Sequence, residues 1–183
     1  MFKKIKTIDD RVVDKMYDYH KKPLIWIMRF FSALGNQGKI WFAMCLPMII
    51  SYKFRIFGLN ILTALILTCI AGEGLIKHIV CRIRPCHKIA DYKLAVKKRP
   101  AFYSFPSGHT ASSFCVFTVT LHYTIPLAIL VLFVALFISF SRIYLQVHYL
   151  TDVLAGIALG IICGIISVKL FTYFPSFPFL WSL

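Results

Sequence analysis

The chain has 183 residues, 59% of them hydrophobic, and a mean hydropathy of +0.75. This composition excludes an ordinary soluble domain, and the length suits one membrane domain better than two sizeable ones. Its 21 Lys and Arg against 7 Asp and Glu give a net charge of +14, which indicates anionic lipid headgroups or a phosphorylated substrate as partners. No nucleic-acid-binding motif accompanies the basic residues, so we expect no nucleic-acid partner.

Two short helices are predicted before the first long hydrophobic segment. In residues 7 to 20, charged and apolar residues alternate at roughly helical spacing, which indicates an amphipathic helix on the membrane surface or a solvated helix. Residues 23 to 34 are apolar apart from Arg29, and this length suits an interfacial or re-entrant helix better than a full crossing. The first 22 residues contain no apolar h-region, so we predict no cleavable signal peptide.

Five hydrophobic segments that can cross a bilayer follow. The first is long enough if Lys39 and Lys53 extend their amines to opposite surfaces. No charged residue occurs between Arg99 and Arg142, and Pro126 marks a turn that divides this stretch into two helices. The predicted spans are residues 38 to 54, 56 to 76, 105 to 122, 125 to 141 and 149 to 172.

The last span carries Gly156, Gly160 and Gly164 four residues apart, a stripe of small residues that lets a neighbouring helix approach closely. We therefore predict an all-α integral membrane protein, a bundle of five transmembrane helices with an N-terminal interfacial helix. A sixth crossing results if residues 23 to 35 span the bilayer. Residues 1 to 183 form one domain in this prediction, with interfacial helices over 1 to 35 and a helical core over 36 to 174.

The six cysteines predict neither a zinc site nor a disulfide framework. None are spaced as C-x-x-C, and four lie inside hydrophobic runs, where they serve as packing residues. Cys81 and Cys86 flank Arg84 and Pro85 and could pair if that loop faces an oxidising space.

Three polar segments lie at the edges of the hydrophobic runs, where a charged group is costly and therefore indicates function. With five alternating crossings, all three fall on the same side of the membrane, so we expect them to form one site. They are Lys77 with Arg84-Pro85, then Pro106-Ser107-Gly108-His109, then Ser141-Arg142 followed by His148 and Asp152.

The basic residues of these segments form a plausible phosphate clamp. Phosphoryl transfer requires positive charge around the equatorial oxygens of a loose transition state, and Lys77, Arg84 and Arg142 supply it. An arginine fork can bind two phosphate oxygens at once, whereas lysine contributes a point charge. Each of these residues alone could equally mark a membrane boundary.

The second segment precedes a helix whose first N–H groups would point at an anion. Gly108 permits a close approach, and Ser107 adds a hydroxyl, although ordinary helix capping explains the same residues. His109, just inside the helix, could protonate a leaving alkoxide.

His148 and Asp152 lie four residues apart, hence on one face if the segment is helical. The carboxylate could then accept an N–H from the imidazole, which leaves the other ring nitrogen as a nucleophile that forms a phosphohistidine. His109 would act first as acid and then as base toward water. Alternatively, Asp152 only caps the last helix and His148 lies at the interface. Glu73, four residues before Lys77, is read as the residue that orients or neutralises that lysine.

Together the three segments resemble the type 2 phosphatidic acid phosphatase family, which shares its site with vanadium-dependent haloperoxidases and bacterial acid phosphatases. The family's first motif, Lys, six residues, Arg-Pro, is met at 77 to 85, and Pro-Ser-Gly-His is met at 106 to 109. Its third motif, Ser-Arg, five residues, His, three residues, Asp, is met at 141 to 152. The resemblance covers about residues 36 to 174.

This resemblance implies a metal-independent lipid phosphatase without a cofactor. In it His148 attacks, Asp152 supports the attack, and phosphate is held by Lys77, Arg84, Ser107, Gly108, His109 and Arg142. It also implies a bacterial plasma membrane location with the site facing away from the cytoplasm. Five spans would then place 18 of the 21 basic residues on that side, against the positive-inside tendency, whereas a sixth crossing would remove the conflict.

We therefore predict a membrane phosphatase that hydrolyses a terminal phosphate monoester or pyrophosphate of a lipid. Phosphatidate, phosphatidylglycerol phosphate, undecaprenyl pyrophosphate and lipid A phosphate are the candidates, and the loop over residues 86 to 103 is the expected source of headgroup selectivity. The alternatives are a non-catalytic phospholipid-binding or transport protein that keeps the pocket, and a small channel. Charged positions clustered at one membrane face disfavour the channel.

Overall fold

The computed structural model describes residues 2–89, 95–96, 99–101 and 103–173. Almost all of these residues are helical, and within them extended backbone pairs only at an isolated bridge between Ile83 and Tyr103. The α-helices are α1 (Phe2–Asp18), α2 (Lys22–Leu34), α3 (Lys39–Ile50), α4 (Arg55–Cys69), α5 (Lys77–Val80), α6 (Gly108–Tyr123), α7 (Ile125–Tyr144) and α8 (Leu150–Tyr173).

The all-α membrane architecture predicted from the sequence is confirmed. Among the described residues, three continuous helical segments are long and apolar enough to cross a bilayer, namely Tyr52–Val80, α7 and α8. Helices α3 and α6 have 12 and 16 residues and complete the core beside them.

The predicted first span over residues 38 to 54 is too long. Helix α3 ends at Ile50 because Ser51 takes an extended backbone, and a 3₁₀ turn over Tyr52–Phe54 reverses the chain into α4. Gly58 of α4 then packs closely against α3, since a Cβ added there would lie 2.8 Å from the backbone nitrogen of Ile49. The predicted span ran on to residue 54 because Lys53 was expected to extend its amine from the helix to the membrane surface.

Helix α4 continues through a π-helix, Ile70–Ile76, into the short α5. A π-helix widens the turn and is frequent at functional sites. Here it brings Glu73 and Lys77 together at the end of the helical segment, which stops at Cys81 in the left-handed region with φ of 48°.

Helices α6 and α8 pack against each other along the glycine stripe. A Cβ added at Gly156 would lie 2.7 Å from the Ser107 carbonyl oxygen, and one added at Gly164 would lie 2.6 Å from Cβ of Thr118. The predicted close helix approach is therefore confirmed. At the shared end of the two helices, the backbone N–H of Ser107 donates to the carbonyl of Asp152 at 3.0 Å, which joins the second and third polar segments.

The two N-terminal helices pack against the end of the core where α7 finishes. Helix α1 buries Val13 and also the carboxylate of Asp9, which is fully inaccessible. In α2, Phe31 stacks on Phe137 of α7 with ring centroids 4.7 Å apart, and Met28 is buried in a second apolar cluster. The amphipathic helix predicted for residues 7 to 20 thus has a polar residue inside its buried face.

All six cysteines lie in the described part of the chain and are free thiols, so Cys81 and Cys86 are not paired. Cys86 is buried and Cys81 is exposed.

Candidate active site

A cavity of about 480 Å³ lies where the π-helix, the start of α6 and the end of α7 meet. It brings together residues from all three polar segments, although these are separated by up to 71 positions in the sequence. The predicted site residues that line it are Lys77, Arg84, Gly108, His109, Arg142 and His148. Ser107 and Asp152 are fully buried and are not among the lining residues.

The lysine of the first segment is held by the π-helix. Lys77 Nζ lies 2.5 Å from a carboxylate oxygen of Glu73, as the spacing of four residues indicated. Glu73 in turn lies against Gly108, where any added Cβ would collide with its Oε1. Gly108 therefore leaves room for the Glu73 carboxylate beside the start of α6.

The arginine of the first segment contacts the histidine of the third. Arg84 has an extended backbone before Pro85, and its Nε donates to the carbonyl of Ala101 at 2.5 Å. Its Nη1 donates to the carbonyl of Val147 at 3.1 Å and lies 2.7 Å from His148 Nε2. A guanidinium cannot accept a hydrogen bond, so Nε2 must accept and the ring proton belongs on Nδ1.

Arg142 lies in the last turn of α7 rather than in the predicted loop after it. Its Nη1 donates to Ser32 Oγ, while its Nε is buried and has no hydrogen-bond partner among the described residues. A buried donor without an acceptor is uncommon in proteins and indicates space for an anion. The carbonyl of Arg142 accepts the backbone N–H groups of Val147 and His148, each at 3.1 Å, which fixes the loop that carries the imidazole.

His148 and Asp152 do not share a helical face, because α8 begins at Leu150 and His148 precedes it. Their closest approach, Nδ1 to Oδ2, is 3.6 Å, which is longer than a hydrogen bond. The carboxylate of Asp152 instead accepts the backbone N–H of Tyr149 at 2.9 Å and Nη1 of Arg82 at 2.7 Å. Asp152 thus caps the start of α8 and still lies directly behind the imidazole.

The imidazole of His148 is kept neutral by its surroundings. Burial lowers the pKa of His148 well below its ordinary value, and the positive charges of Arg84, Arg142 and Lys77 lower it further. The backbone of Ser104 opposes this shift. A neutral ring with its proton on Nδ1 keeps a lone pair on Nε2, which here accepts from Arg84 Nη1. This is the protonation state that a nucleophile requires.

The remaining two residues of the second segment differ in their access to the cavity. His109 lines it, and its ring is confined by Gly35, where an added Cβ would lie 3.0 Å from His109 Cδ2. The hydroxyl of Ser107 accepts a hydrogen bond from Thr110 Oγ1 at 3.0 Å. Accepting this bond leaves the O–H proton of Ser107 free to donate, although the side chain is fully buried and does not line the cavity.

Two residues that contact the site were not predicted from the sequence, namely Arg82, which binds Asp152, and Ser32, which binds Arg142. Arg82 falls inside the six-residue gap of the first motif. In the sequence it cannot be distinguished from a basic residue that marks a membrane boundary. In the loop predicted to select the headgroup, Pro100 and Ala101 line the cavity, whereas Lys93, Lys97 and Lys98 lie outside the described residues. Lys88 donates to the hydroxyl of Tyr149 at 3.0 Å.

The chain matches a family of known proteins in sequence and two solved structures in fold. Residues 55–176 match the family model of the PAP2 superfamily. The crystal structure of Aquifex aeolicus LpxE is 28% identical, has a TM-score of 0.75, and the match covers 88% of this chain and 94% of that one. The PAP2-type phosphatidylglycerolphosphate phosphatase of Bacillus subtilis has the same fold at 22% identity and a TM-score of 0.75, with 94% and 89% covered. No curated protein sequence matches the chain.

Proposed function

Because the chain belongs to the PAP2 superfamily, we propose that it is a membrane lipid phosphatase that hydrolyses a terminal phosphate monoester or pyrophosphate. One observation carries this proposal: a neutral, buried imidazole and three cationic side chains face the same cavity, and the buried Nε of Arg142 has no hydrogen-bond partner within the described part of the chain. The donor without a partner supports an anionic ligand, and the imidazole supports turnover rather than binding alone.

The proposed reaction has two displacements at phosphorus. Oxygens of the substrate phosphate accept N–H groups of Arg84, Arg142 and Lys77, and His148 Nε2 attacks as the bond to the leaving oxygen breaks. Protonated His109 gives its extra proton to that oxygen, so a monoester leaves as a neutral alcohol, a pyrophosphate leaves as a lipid monophosphate, and a phosphohistidine remains. His109 then takes a proton from water, the water oxygen bonds to phosphorus, the P–N bond breaks, and inorganic phosphate is released.

The same geometry supports metal independence, since the positive charge that the transition state needs is supplied by side chains. Hydrolysis should persist in excess EDTA. Vanadate, which can take up the five-coordinate geometry of the transition state, should inhibit competitively. A strict requirement for Mg²⁺, or indifference to millimolar vanadate, would contradict this mechanism.

We further propose that the lipid tail stays in the bilayer while the headgroup enters the cavity from one membrane face. The candidate substrates remain phosphatidate, phosphatidylglycerol phosphate, undecaprenyl pyrophosphate and lipid A phosphate. The decisive experiment measures phosphate released from each by purified protein in detergent, with His148→Ala as the matched inactive control. Binding without release from any of them would favour a non-catalytic phospholipid-binding or transport protein.

The proposed location is a bacterial plasma membrane with the cavity facing away from the cytoplasm. A protease-cleavable tag inserted in the loop over residues 86 to 98 tests it. Cleavage in intact spheroplasts is the expected result, and cleavage only after lysis would reverse the orientation.

A further inference from the structure

A network of hydrogen bonds links the N-terminal helix α1 to the carboxylate behind the proposed nucleophile. The guanidinium of Arg82 lies at its centre, with Nη1 2.7 Å from Asp152 Oδ1 and Nη2 2.6 Å from Asp9 Oδ2. Nη1 also contacts Thr151 Oγ1 at 2.7 Å. The plane of the guanidinium lies over the ring of Tyr149, 3.9 Å from its centroid. All the hydrogen bonds that the structure records for the Arg82 side chain therefore go to α1 or to the start of α8.

Asp9 is bound as tightly as Asp152. Both carboxylates are fully buried, and Asp9 Oδ1 accepts the backbone N–H of Thr151 at 3.1 Å while its Oδ2 accepts the Thr151 hydroxyl at 2.5 Å. Helix α1 also contacts the loop before α8, where Gln146 Nε2 donates to the carbonyl of Val13 at 2.9 Å. Helix α1 is thus attached to the segment that carries His148 by buried polar contacts, which are costly to leave unpaired.

We propose that Arg82 and Asp9 are positioning residues for the phosphatase reaction, holding Asp152 ionised and in place behind His148. This inference rests on the proposed function. It assigns to the N-terminal helix, which lies outside the part of the chain that matches the family model, a role in the chemical step.

The charges of the network explain why both residues are needed. When His148 Nε2 bonds to phosphorus and Nδ1 keeps its proton, the imidazole becomes cationic, and Asp152 is the anion behind it. Without Arg82, two buried carboxylates would remain in one region, and one would take up a proton because like charges disfavour ionisation. Without the charge of Asp9, Arg82 would form an ion pair with Asp152 alone. Asp152 would stay ionised, but the guanidinium would offset the negative charge that it presents to the imidazole. With both Arg82 and Asp9 present, the two carboxylates and the guanidinium carry a net charge of −1. Asp152 can then present this negative charge to the imidazole of His148.

The pKa of Arg82 agrees with this account. Burial lowers it, but hydrogen bonds and charges from Asp9 and Asp152 outweigh burial and raise it above the ordinary arginine value. Arg82 therefore stays charged in its partly buried position.

The test compares Asp9→Asn and Arg82→Gln with Asp14→Asn, which removes an exposed carboxylate from the same helix. We expect kcat to fall by about tenfold or more in the two network variants, as for other residues that orient a reacting group, and to stay unchanged in the control. The inhibition constant of vanadate should change by less than about threefold in all of them, because the anion clamp is intact. Arg82→Lys, which keeps one charge but cannot bind two carboxylates with a planar fork, should give an intermediate kcat.

A kcat equal to wild type in Asp9→Asn would overturn the proposal. So would a parallel loss of kcat, vanadate affinity and melting temperature, since that pattern indicates general disruption. Should Arg82→Gln not fold, Arg82→Lys and Asp9→Asn still decide the question by the same readouts. If wild-type protein itself releases no phosphate from any lipid, the proposed function fails instead, so the two failures are distinguishable.

Discussion

Arg84 Nη1 lies 2.7 Å from Nε2 of His148, so the nitrogen proposed to attack phosphorus is occupied by a side chain proposed to bind phosphate. The two must separate before the reaction. An incoming phosphate oxygen is a stronger acceptor for a guanidinium N–H than a neutral imidazole, because charge-assisted hydrogen bonds are the stronger ones. Substrate binding would then release the nucleophile, and the lone pair stays masked until an anion is present.

Replacing His148 with alanine should abolish phosphate release, because no other described side chain in the cavity combines a neutral nitrogen with the carboxylate of Asp152 behind it. The measurement is phosphate release by purified variant and wild type under saturating substrate. His122→Ala is the matched control, since His122 is exposed at the far end of α6. Turnover at the wild-type rate in His148→Ala, with an unchanged melting temperature, would refute the nucleophile assignment.

Replacing His109 with glutamine should lower kcat by about 10²- to 10⁴-fold on a lipid substrate, the usual contribution of a general acid. The loss in the first step should be smaller on nitrophenyl phosphate, whose leaving group departs without a proton. A burst of nitrophenol followed by slow turnover is expected, because the second step still needs His109 as base. Equal losses in the burst rate on both substrates would show that His109 does not protonate the leaving group.

The stability of the protein should fall as the pH drops below about 6.5, the ordinary pKa of histidine. Burial and neighbouring cations hold the pKa of His148 well below that value in the folded state, so between the two pKa values only the unfolded state binds the proton. Stability then decreases by up to about 1.4 kcal/mol per pH unit, and above pH 6.5 this group contributes no slope. Unfolding in detergent at pH 7.5, 6.5 and 5.5 should show a flatter profile for His148→Gln, and an identical slope would count against a neutral buried imidazole.

Replacing Gly160 with leucine should destabilise the bundle by more than the 1–3 kcal/mol that is typical of an overpacked core. A Cβ at this position would already lie 2.9 Å from the backbone nitrogen of Cys115, and a backbone cannot move aside like a flexible side chain. Ala158→Leu, on the exposed face of the same helix, is the control and should leave the unfolding transition in place. Similar transitions for both variants would mean that α6 and α8 are not in close contact.

Much of this arrangement follows from local sequence signals. Hydropathy predicted the long helices, the four-residue spacing predicted both the glycine stripe and the Glu73–Lys77 pair, and three motifs named residues that line one cavity. The ends of helices were harder to predict. Helix α3 stops before Ser51 inside the predicted span, and α7 continues through Arg142, beyond the predicted end of its span. The polar contacts of Arg82 with Asp9 and of Arg142 with Ser32 carried no local signal.

The buried partners of the site illustrate the second limit. Asp9 and Arg82 are 73 residues apart in the sequence. Each is a charged residue of the kind expected on an exposed surface near a membrane, so neither is predicted to be buried or paired. For His148 and Asp152, the spacing of four residues predicted one shared helical face. The two side chains are close, but α8 starts between them, so they do not share a helix. Their nearness was predicted, but the geometry that produces it was not.

Arg142 contributes twice, through a guanidinium that faces the cavity and through a carbonyl that holds the N–H of His148. The distance between the bound anion and the nucleophile is thus fixed by the loop between Arg142 and His148 rather than by the packing of the whole bundle. Insertions should be tolerated between residues 86 and 98, where the proposed tag is placed, yet abolish activity between residues 142 and 148. Homologous proteins should likewise lack insertions and deletions between residues 142 and 148, because a change of length there would move the imidazole relative to the bound anion.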